Sequence, residues 1–487
     1  MHNAVEDFVR SLGLDAYLVG GAVRDELLGH ESKDADFLVP GLDTDGLRQA
    51  LAPHGRVEDL VVADRLVGVR LHPRDPKIRR LAPAGIELAP PRKEVSTGPG
   101  RHDFEIVADP SLSVEEDMRR RDFTVNAMAR RLATGEIVDP LGGREDLEHG
   151  VLKAVGPTTF AEDPLRLVRA LRFVSQLGLE PNDATLEQMR VEAGSVRLVS
   201  GERVGGGLAA DGLGELSKLL LGREPARALR LARDTGVLVA LLPEFERAIG
   251  FEQESRYHDL TVDEHTFAVV QAAADRKRSL AVRLAALFHD LGKPHMAWRG
   301  TDGRLHYYAK PGYAQRSHEQ AGAELAAAAL RRLRYPNALR ERVVRIVRHH
   351  MFRIGKGTPI HARRFLAKYG DGLALDLVDH KEADYLGKRG SDGEPPIADI
   401  EAVAAFRATL LLERENPHRL ADLAVDGNDL IELGFRPGPQ LGRALQDLLH
   451  EVVEDPGANT REHLLDRAGR LRRGRDDARR GAGVRES

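Results

Sequence analysis

Two short segments near the N-terminus bring together residue types suited to metal-dependent phosphoryl chemistry. Gly20-Gly21-Ala22-Val23-Arg24-Asp25 follows Tyr17, Leu18 and Val19, which read as the end of a buried strand. The glycine pair breaks that strand, and Ala22 to Leu28 has helical composition with Gly29 as its C-cap. A strand, a Gly-Gly turn and a helix start leave backbone N–H groups facing open space, which suits a triphosphate. The chain then returns as Asp34-Ala35-Asp36-Phe37-Leu38-Val39. Residues i and i+2 of a strand share a face, so Asp34 and Asp36 are expected side by side. Paired carboxylates beside a phosphate cradle can hold Mg²⁺, activating a 3′-hydroxyl and neutralising a leaving pyrophosphate. Gly-Gly alone is a turn, and Asp-x-Asp alone is commonly a solvated loop. The apolar run that follows these aspartates makes unpaired carboxylates costly, which favours a cation beside them.

A second constellation is made of histidines, of which the chain has 19. His265 opens a helical segment, and His289-Asp290 ends the apolar helix Leu284 to Phe288. His318, His349, His350 and Asp384 come later. A histidine, a His-Asp pair and a distant aspartate on separate helices have the spacing of a metal-dependent phosphohydrolase. Imidazole and carboxylate ligands leave positions open for water and phosphate.

The elements that must position these groups belong to a chain of several domains, given its 487 residues. It is 42% apolar and 30% charged, with no apolar run of membrane-spanning length and no signal-peptide pattern at its start. The absence of cysteine excludes disulfides, thiolate-bound zinc and thiol nucleophiles, so a cytoplasmic protein is expected. A net charge of −4 argues against indiscriminate wrapping of nucleic acid, but leaves room for a local basic groove. Residues 1 to about 150 mix β-rich and helical stretches. His72 to Arg101 reads as a loop-heavy excursion around one strand, Gly85 to Ala89, whose Glu87 is either a third metal carboxylate or an outward-facing strand residue.

From Phe160 the chain is helical. Leu167, Leu171 and Val174 form an apolar stripe, while Arg166, Arg169 and Arg172 recur on another flank. Asp163 precedes them by one turn. An aspartate and an arginine held rigidly can present acceptor and donor groups to a nucleobase edge, although an ordinary Asp163–Arg166 or Asp163–Arg169 pair is the simpler alternative. The glycine-rich run from Gly205 to Gly214 predicts a shortened helix or a loop. The basic tail from Arg470 to Ser487 reads as frayed or disordered.

The two N-terminal segments resemble the head of the class II tRNA nucleotidyltransferases and bacterial poly(A) polymerases, a branch of the DNA polymerase beta-like superfamily. Glu116 to Ala129, Asp139 to Leu147 and Glu162 to Phe173 are similar to that family's later motifs, in the same order. The resemblance implies an α+β head with a polymerase beta-like mixed sheet at 1–155 and a helical neck at 156–245. All-α regions follow: an HD domain at 246–394 and a helical C-terminal region at 395–487. It further implies Mg²⁺ at Asp34 and Asp36, with Glu87 as the candidate third ligand. Gly20, Gly21, Arg24 and Arg121 would hold triphosphate and ribose, and Asp163, Arg166, Arg169 and Arg172 would read the base. Asp122 and Asn126 would fix Arg121 and the neighbouring loop.

The histidines resemble the HD phosphohydrolase superfamily, which implies a divalent metal at His265, His289, Asp290 and Asp384. His318 and either His349 or His350 fit added-ligand positions, whereas His258-Asp259 lies before the first ligand helix and is set aside. Ala424 to Leu430 and Gly434 to Gly442 resemble a segment that follows the HD region in bacterial tRNA nucleotidyltransferases. The activity implied is addition of CMP and AMP, from CTP and ATP, to a tRNA 3′ end. Poly(A) synthesis, partial CC or A addition, and an HD phosphohydrolase with a non-catalytic RNA-binding head are the alternatives. The largely apolar stretch Leu66 to Leu71 disfavours the poly(A) branch.

Overall fold

The structure is a computed structural model that describes residues 2–30, 35–62, 65–96, 104–206, 212–254, 260–308, 316–355, 357–389 and 393–483. Asp34 and the pair His258-Asp259 therefore lie outside the described residues. The chain divides into two compact units, Met1–Pro243 and Glu244–Ser487.

Up to Val138 the described residues of the first unit form nine strands: β1 (Tyr17–Val19), β2 (Asp36–Leu38), β3 (Gly55–Val62), β4 (Arg65–Pro73), β5 (Ile86–Ala89), β6 (Arg92–Ser96), β7 (Phe104–Ala108), β8 (Ala129–Arg131) and β9 (Ile137–Val138). Seven of them form one mixed sheet in the order β3-β4-β5-β2-β1-β8-β9. Only β2 and β5 pair in parallel; the other neighbours are antiparallel. β1 lies between β2 and β8, and all three of its residues are buried. Its apolar sequence suits a strand covered on both faces.

The described part of the segment from His72 to Arg101 is more regular than the sequence suggests. β4 continues to Pro73, a helix spans Pro76–Leu81, and β6 pairs with β7 as a separate hairpin. The helix starts on an Asp75 side chain that accepts from Lys77 N–H, with proline at its first position. Here Pro marks an element boundary rather than a loop.

Ser113-x-x-Glu116 forms a reciprocal capping box that starts the helix Val114–Met118, whose exit delivers Arg119 to Arg121. Phe123, fully buried, joins this segment to the helices beyond: its ring packs 5.6 Å from Phe173 and 6.2 Å from Phe160. The helix Leu165–Leu177 buries Leu167, Leu171 and Val174 as its spacing predicted, and Gly178 ends it with φ +70°. Glu202–Gly206 is a single wide turn, and helix resumes only at Glu215, consistent with the glycine run; residues 207–211 lie outside the described chain.

Among the described residues, the second unit is helical apart from a small hairpin, Trp298–Arg299 with Leu305–His306. Helices Val262–Asp275, Leu280–Phe288, His318–Arg332, Asn337–His349 and Asp371–Leu386 surround a histidine-rich interior. Further along, Arg363 on the helix Pro359–Tyr369 donates to the Val453 and Glu454 carbonyls and pairs with Glu413 at 2.6 Å. These bonds satisfy the last carbonyls of helix Pro439–Glu454 and tie it down. The final helix is described over Arg461–Gly483, so part of the tail expected to be frayed from Arg470 is drawn as helix, and residues 484–487 lie outside the described residues. Arginine and leucine favour helix in its first half, and Arg470 pairs with Asp466 one turn earlier. Among the described residues, no helix is long and apolar enough to cross a membrane.

Candidate functional site

The first site surrounds the turn after β1. Gly20 has φ +70° and caps the helix Gly21–Leu27. A Cβ on Gly20 would lie 2.5 Å from Nη1 of Arg121. The positive φ requires glycine there, and a Cβ would also push the end of the Arg121 side chain aside. Gly20→Ala should lower the melting temperature by several degrees and displace Arg121. Thermal melts and the nucleotide KM would check this; an unchanged KM would show that Arg121 does not serve the nucleotide.

Asp36 opens β2 and is exposed at that end of the strand. The parallel register sets Glu87 directly beside Asp36, so the two share a face of the sheet. Glu87 is also opposite Arg70 on β4, whose guanidinium pairs with it at 2.5 Å. Glu87 thus stands next to Asp36 in the sheet, with Arg70 as its ion-pair partner.

Arg24 spans from the same turn toward the neck. Nη1 donates to Asn126 at 2.6 Å, the other donors engage Asp25, and its head lies 5.2 Å from the Phe173 ring centre. Asn126 in turn donates to Asp122. Asp122 and Asn126 therefore hold Arg169 and Arg24, not Arg121 as expected; Arg121 instead pairs with Asp117 at 3.3 Å. Burial alone would raise the Asp122 pKa, but the Arg169 charge and hydrogen bonds from Asn126 and Arg169 hold it well below the carboxylate range.

The Asp122–Arg169 pair, 2.6 Å apart, braces the neck helix against the head. Replacing Asp122 with alanine leaves Arg169 short of its buried anion, and should cost about 3 kcal/mol at neutral pH. A depressed folded pKa means this stability is fully present above the unfolded carboxylate value and is lost as pH falls through the folded one. Denaturant melts of wild type and Asp122→Ala should therefore differ most above about pH 4 and converge only in stronger acid.

Asp163 pairs with neither Arg166 nor Arg169. Both its oxygens engage the fork of Arg203, at 3.0 and 2.6 Å. Arg203 is a residue the motif reading did not single out, and 40 residues of separation left no local signal for it. Arg166 is 7% exposed and spends its donors on Thr159 O, Glu162 and Arg120 O, so it braces the Arg120-Arg121 backbone rather than facing a groove. Arg172 pairs with Glu215 at 3.0 Å, and burial together with neighbouring Arg169 brings its guanidinium down to about 10. Glu215 also reaches Arg169 and was likewise missed.

The second site lies inside the second unit. Ligand atoms of His265, His289 and Asp290 lie within 4.8 Å of one another, as do those of Asp290, His318 and His350. Asp384 joins through His265, with Oδ1 3.2 Å from Nε2. The sequence-predicted set is thus brought together, with Asp290 shared between two groups. His350, not His349, is the inward residue; His349 packs on Tyr369 at 5.3 Å.

Tautomers here follow from the backbone. Nδ1 of His289 lies 2.9 Å from Ala286 O, and Nδ1 of His350 lies 2.7 Å from Val347 O. A carbonyl only accepts, so each Nδ1 carries the proton and each Nε2 keeps its lone pair for a cation. Nε2 of His289 and His265 face each other at 3.3 Å. Lys293 supports Asp290 at 2.6 Å, and Lys388 supports Asp384 at 3.0 Å. Burial alone would raise both aspartates; His289 and Lys293 hold Asp290, and Lys388 and His265 hold Asp384, well below the usual range. Converging imidazole lone pairs and ionised carboxylates, with no thiolate, fit a divalent first-row cation. His380 also lies in this interior, where burial and the charge of His289 bring its imidazole down to about 3. Its place four residues before Asp384, on one helix face, was a usable sequence signal.

A mixed sheet with a glycine turn beside a carboxylate strand defines a nucleotidyltransferase head, and the His/Asp cluster defines an HD domain. Family models agree. Residues 16–153 match the poly A polymerase head domain, 178–249 the RNA- and SrmB-binding site of polymerase A, 262–388 the HD domain, and 412–468 tRNA nucleotidyltransferase domain 2. The Multifunctional CCA protein of Thioalkalivibrio sulfidiphilus is 34% identical over 454 residues, covering 90% of this chain and 96% of that protein. Its counterpart in Xanthomonas campestris is 35% identical over 446 residues, covering 88% and 95%. The chain belongs to the multifunctional CCA protein family. Among solved structures, the Bacillus stearothermophilus CCA-adding enzyme in complex with CTP matches with TM-score 0.64 and 25% identity over 98% of each chain. The Thermotoga maritima CCA-adding enzyme complexed with tRNA shares the fold, with TM-score 0.53 and 19% identity over 96% of this chain and 93% of that one.

Proposed function

We propose that this chain is a template-independent tRNA nucleotidyltransferase that adds CMP and AMP, from CTP and ATP, to complete a 3′ CCA end. The observation that carries the reading is similarity to CCA proteins over 90% of this chain, around a head that sets Asp36 beside Glu87 and next to the Gly20 turn. Asp36, with Asp34, is the cation anchor; Glu87 supplements it if Arg70 gives way. These carboxylates would hold Mg²⁺, which would supply the charge that favours ionisation of the tRNA 3′-hydroxyl and offsets the leaving pyrophosphate. Gly20, Gly21, Arg24 and Arg121 receive triphosphate and ribose, the turn through backbone N–H groups and Arg121 through its guanidinium.

Asp163, fixed by the Arg203 fork, offers its remaining lone pairs as acceptors, and Arg169 offers donors, to the base edge. Arg166 and Arg172 hold that surface in place from behind. The helical neck after residue 155 therefore selects the base while the head performs the transfer. The region from 246 to 394 is a phosphohydrolase in which His265, His289, Asp290 and Asp384 would hold a divalent cation, which would supply polarisation of a phosphate ester. The absence of cysteine fits a reducing cytoplasm, where this protein acts.

The test offers tRNA transcripts lacking CCA, or ending in C or CC, with CTP and ATP singly and together. Transcripts lacking CCA should grow by CCA and stop. Long A tails, or addition of only one nucleotide type, would replace this reading with a poly(A) or partial-adding enzyme.

A further inference from the structure

Three guanidinium groups converge on one aromatic ring where head and neck meet in the first unit. Phe173, on the helix Leu165–Leu177, is 1% exposed. The guanidinium carbon of Arg172 lies over its ring 4.4 Å from the centroid, that of Arg24 at 5.2 Å and that of Arg169 at 5.6 Å. Arg24 comes from the helix Gly21–Leu27 beside the glycine turn, and the other two from the neck helix itself. Phe123 stands nearly perpendicular to the ring, 5.6 Å away, and fixes its orientation.

Three like charges gathered on one ring repel one another, so their approach needs a counterpart. Carboxylates supply part of it: Asp25 for Arg24, Asp122 for Arg169 and Glu215 for Arg172, at 2.6, 2.6 and 3.0 Å. Those pairs leave Nε of Arg172 buried with no hydrogen-bond partner among the described residues. The negative face of the Phe173 ring supplies the rest. A cation within about 6 Å of such a face is attracted to it, most strongly where water is excluded. Leucine would fill much of the same space but would give the three cations no such face.

We propose that Phe173 is a positioning residue for nucleotide addition, whose ring holds Arg24 and Arg169 in register with each other. Arg24 serves the triphosphate and Arg169 the base edge, so one ring ties the two halves of nucleotide recognition together. This inference rests on the reading of those two arginines as nucleotide-binding residues.

The experiment replaces Phe173, in the full chain, with phenylalanines carrying one, two and three ring fluorines. Fluorine withdraws charge from the ring face and hardly alters its size, so packing persists while the attraction fades stepwise. The KM for CTP and for ATP should rise with each fluorine, reaching about three- to tenfold with three, while kcat stays within about twofold. A role in packing alone would leave KM level across the series. Phe173→Leu should raise KM at least as far as three fluorines do. A level KM across the folded fluorinated proteins, or a wild-type KM in the folded leucine variant, would overturn the proposal. Wild type adding no nucleotide to a transcript lacking CCA would instead overturn the transferase reading, and this inference with it.

Discussion

Asp36→Ala is expected to abolish nucleotide addition, by about a thousandfold or more, while leaving phosphohydrolase activity intact. The carboxylate stands at the exposed start of β2, beside Glu87 and next to the turn on which Arg121 rests. Losing a cation anchor removes several kcal/mol of stabilisation from the charge that develops on pyrophosphate, and each 1.4 kcal/mol is about tenfold in rate. The flanking Phe37 and Leu38, which are buried, still seat the strand, so the fold should survive and the melting temperature should stay close to wild type. Incorporation of labelled CMP into a transcript lacking CCA measures the first effect, and hydrolysis of a simple phosphomonoester measures the second. Full addition by the variant would show that Asp36 does not hold the catalytic ion.

Asp290→Asn is expected to do the reverse. One oxygen of Asp290 lies 2.6 Å from Lys293 and 3.3 Å from His289, and the other 3.8 Å from both His318 and His350. Among the described residues, Asp290 is the one that belongs to both ligand groups. Asparagine keeps the shape but removes the charge that offsets buried Lys293 and any bound cation. Uncompensated burial of that lysine should cost about 3 kcal/mol or more of stability. Metal binding and ester hydrolysis should each fall at least about a hundredfold. Transfer should remain within about twofold of wild type, because head and neck belong to the other compact unit. Loss of CCA addition in this variant, with the protein still folded, would contradict the separation of the two activities.

Much of both sites was legible in the sequence because their components are local. A Gly-Gly break after three apolar residues, an aspartate opening an apolar strand and a His-Asp pair ending an apolar helix each state their own backbone geometry. Glu87 could be nominated from position alone, and the parallel β2–β5 register then set it beside Asp36. The hairpin β6–β7 and the helix before β5 were harder, since proline and glycine read as loop when they in fact punctuate regular elements.

By itself, then, the sequence determined which residue types could bind phosphate and metal, the strand and helices that carry them, and the family they resemble. Only the tertiary structure decided their partners. It matched Asp163 with Arg203 and Asp122 with Arg169, across 40 and 47 residues of chain. It chose His350 over His349 and drew His380 into the cluster. Periodicity and turn chemistry depend on neighbouring residues and can be read along the chain. The pairing of buried charges and imidazoles depends on which helix faces meet when the core closes, and that information is spread over the whole fold.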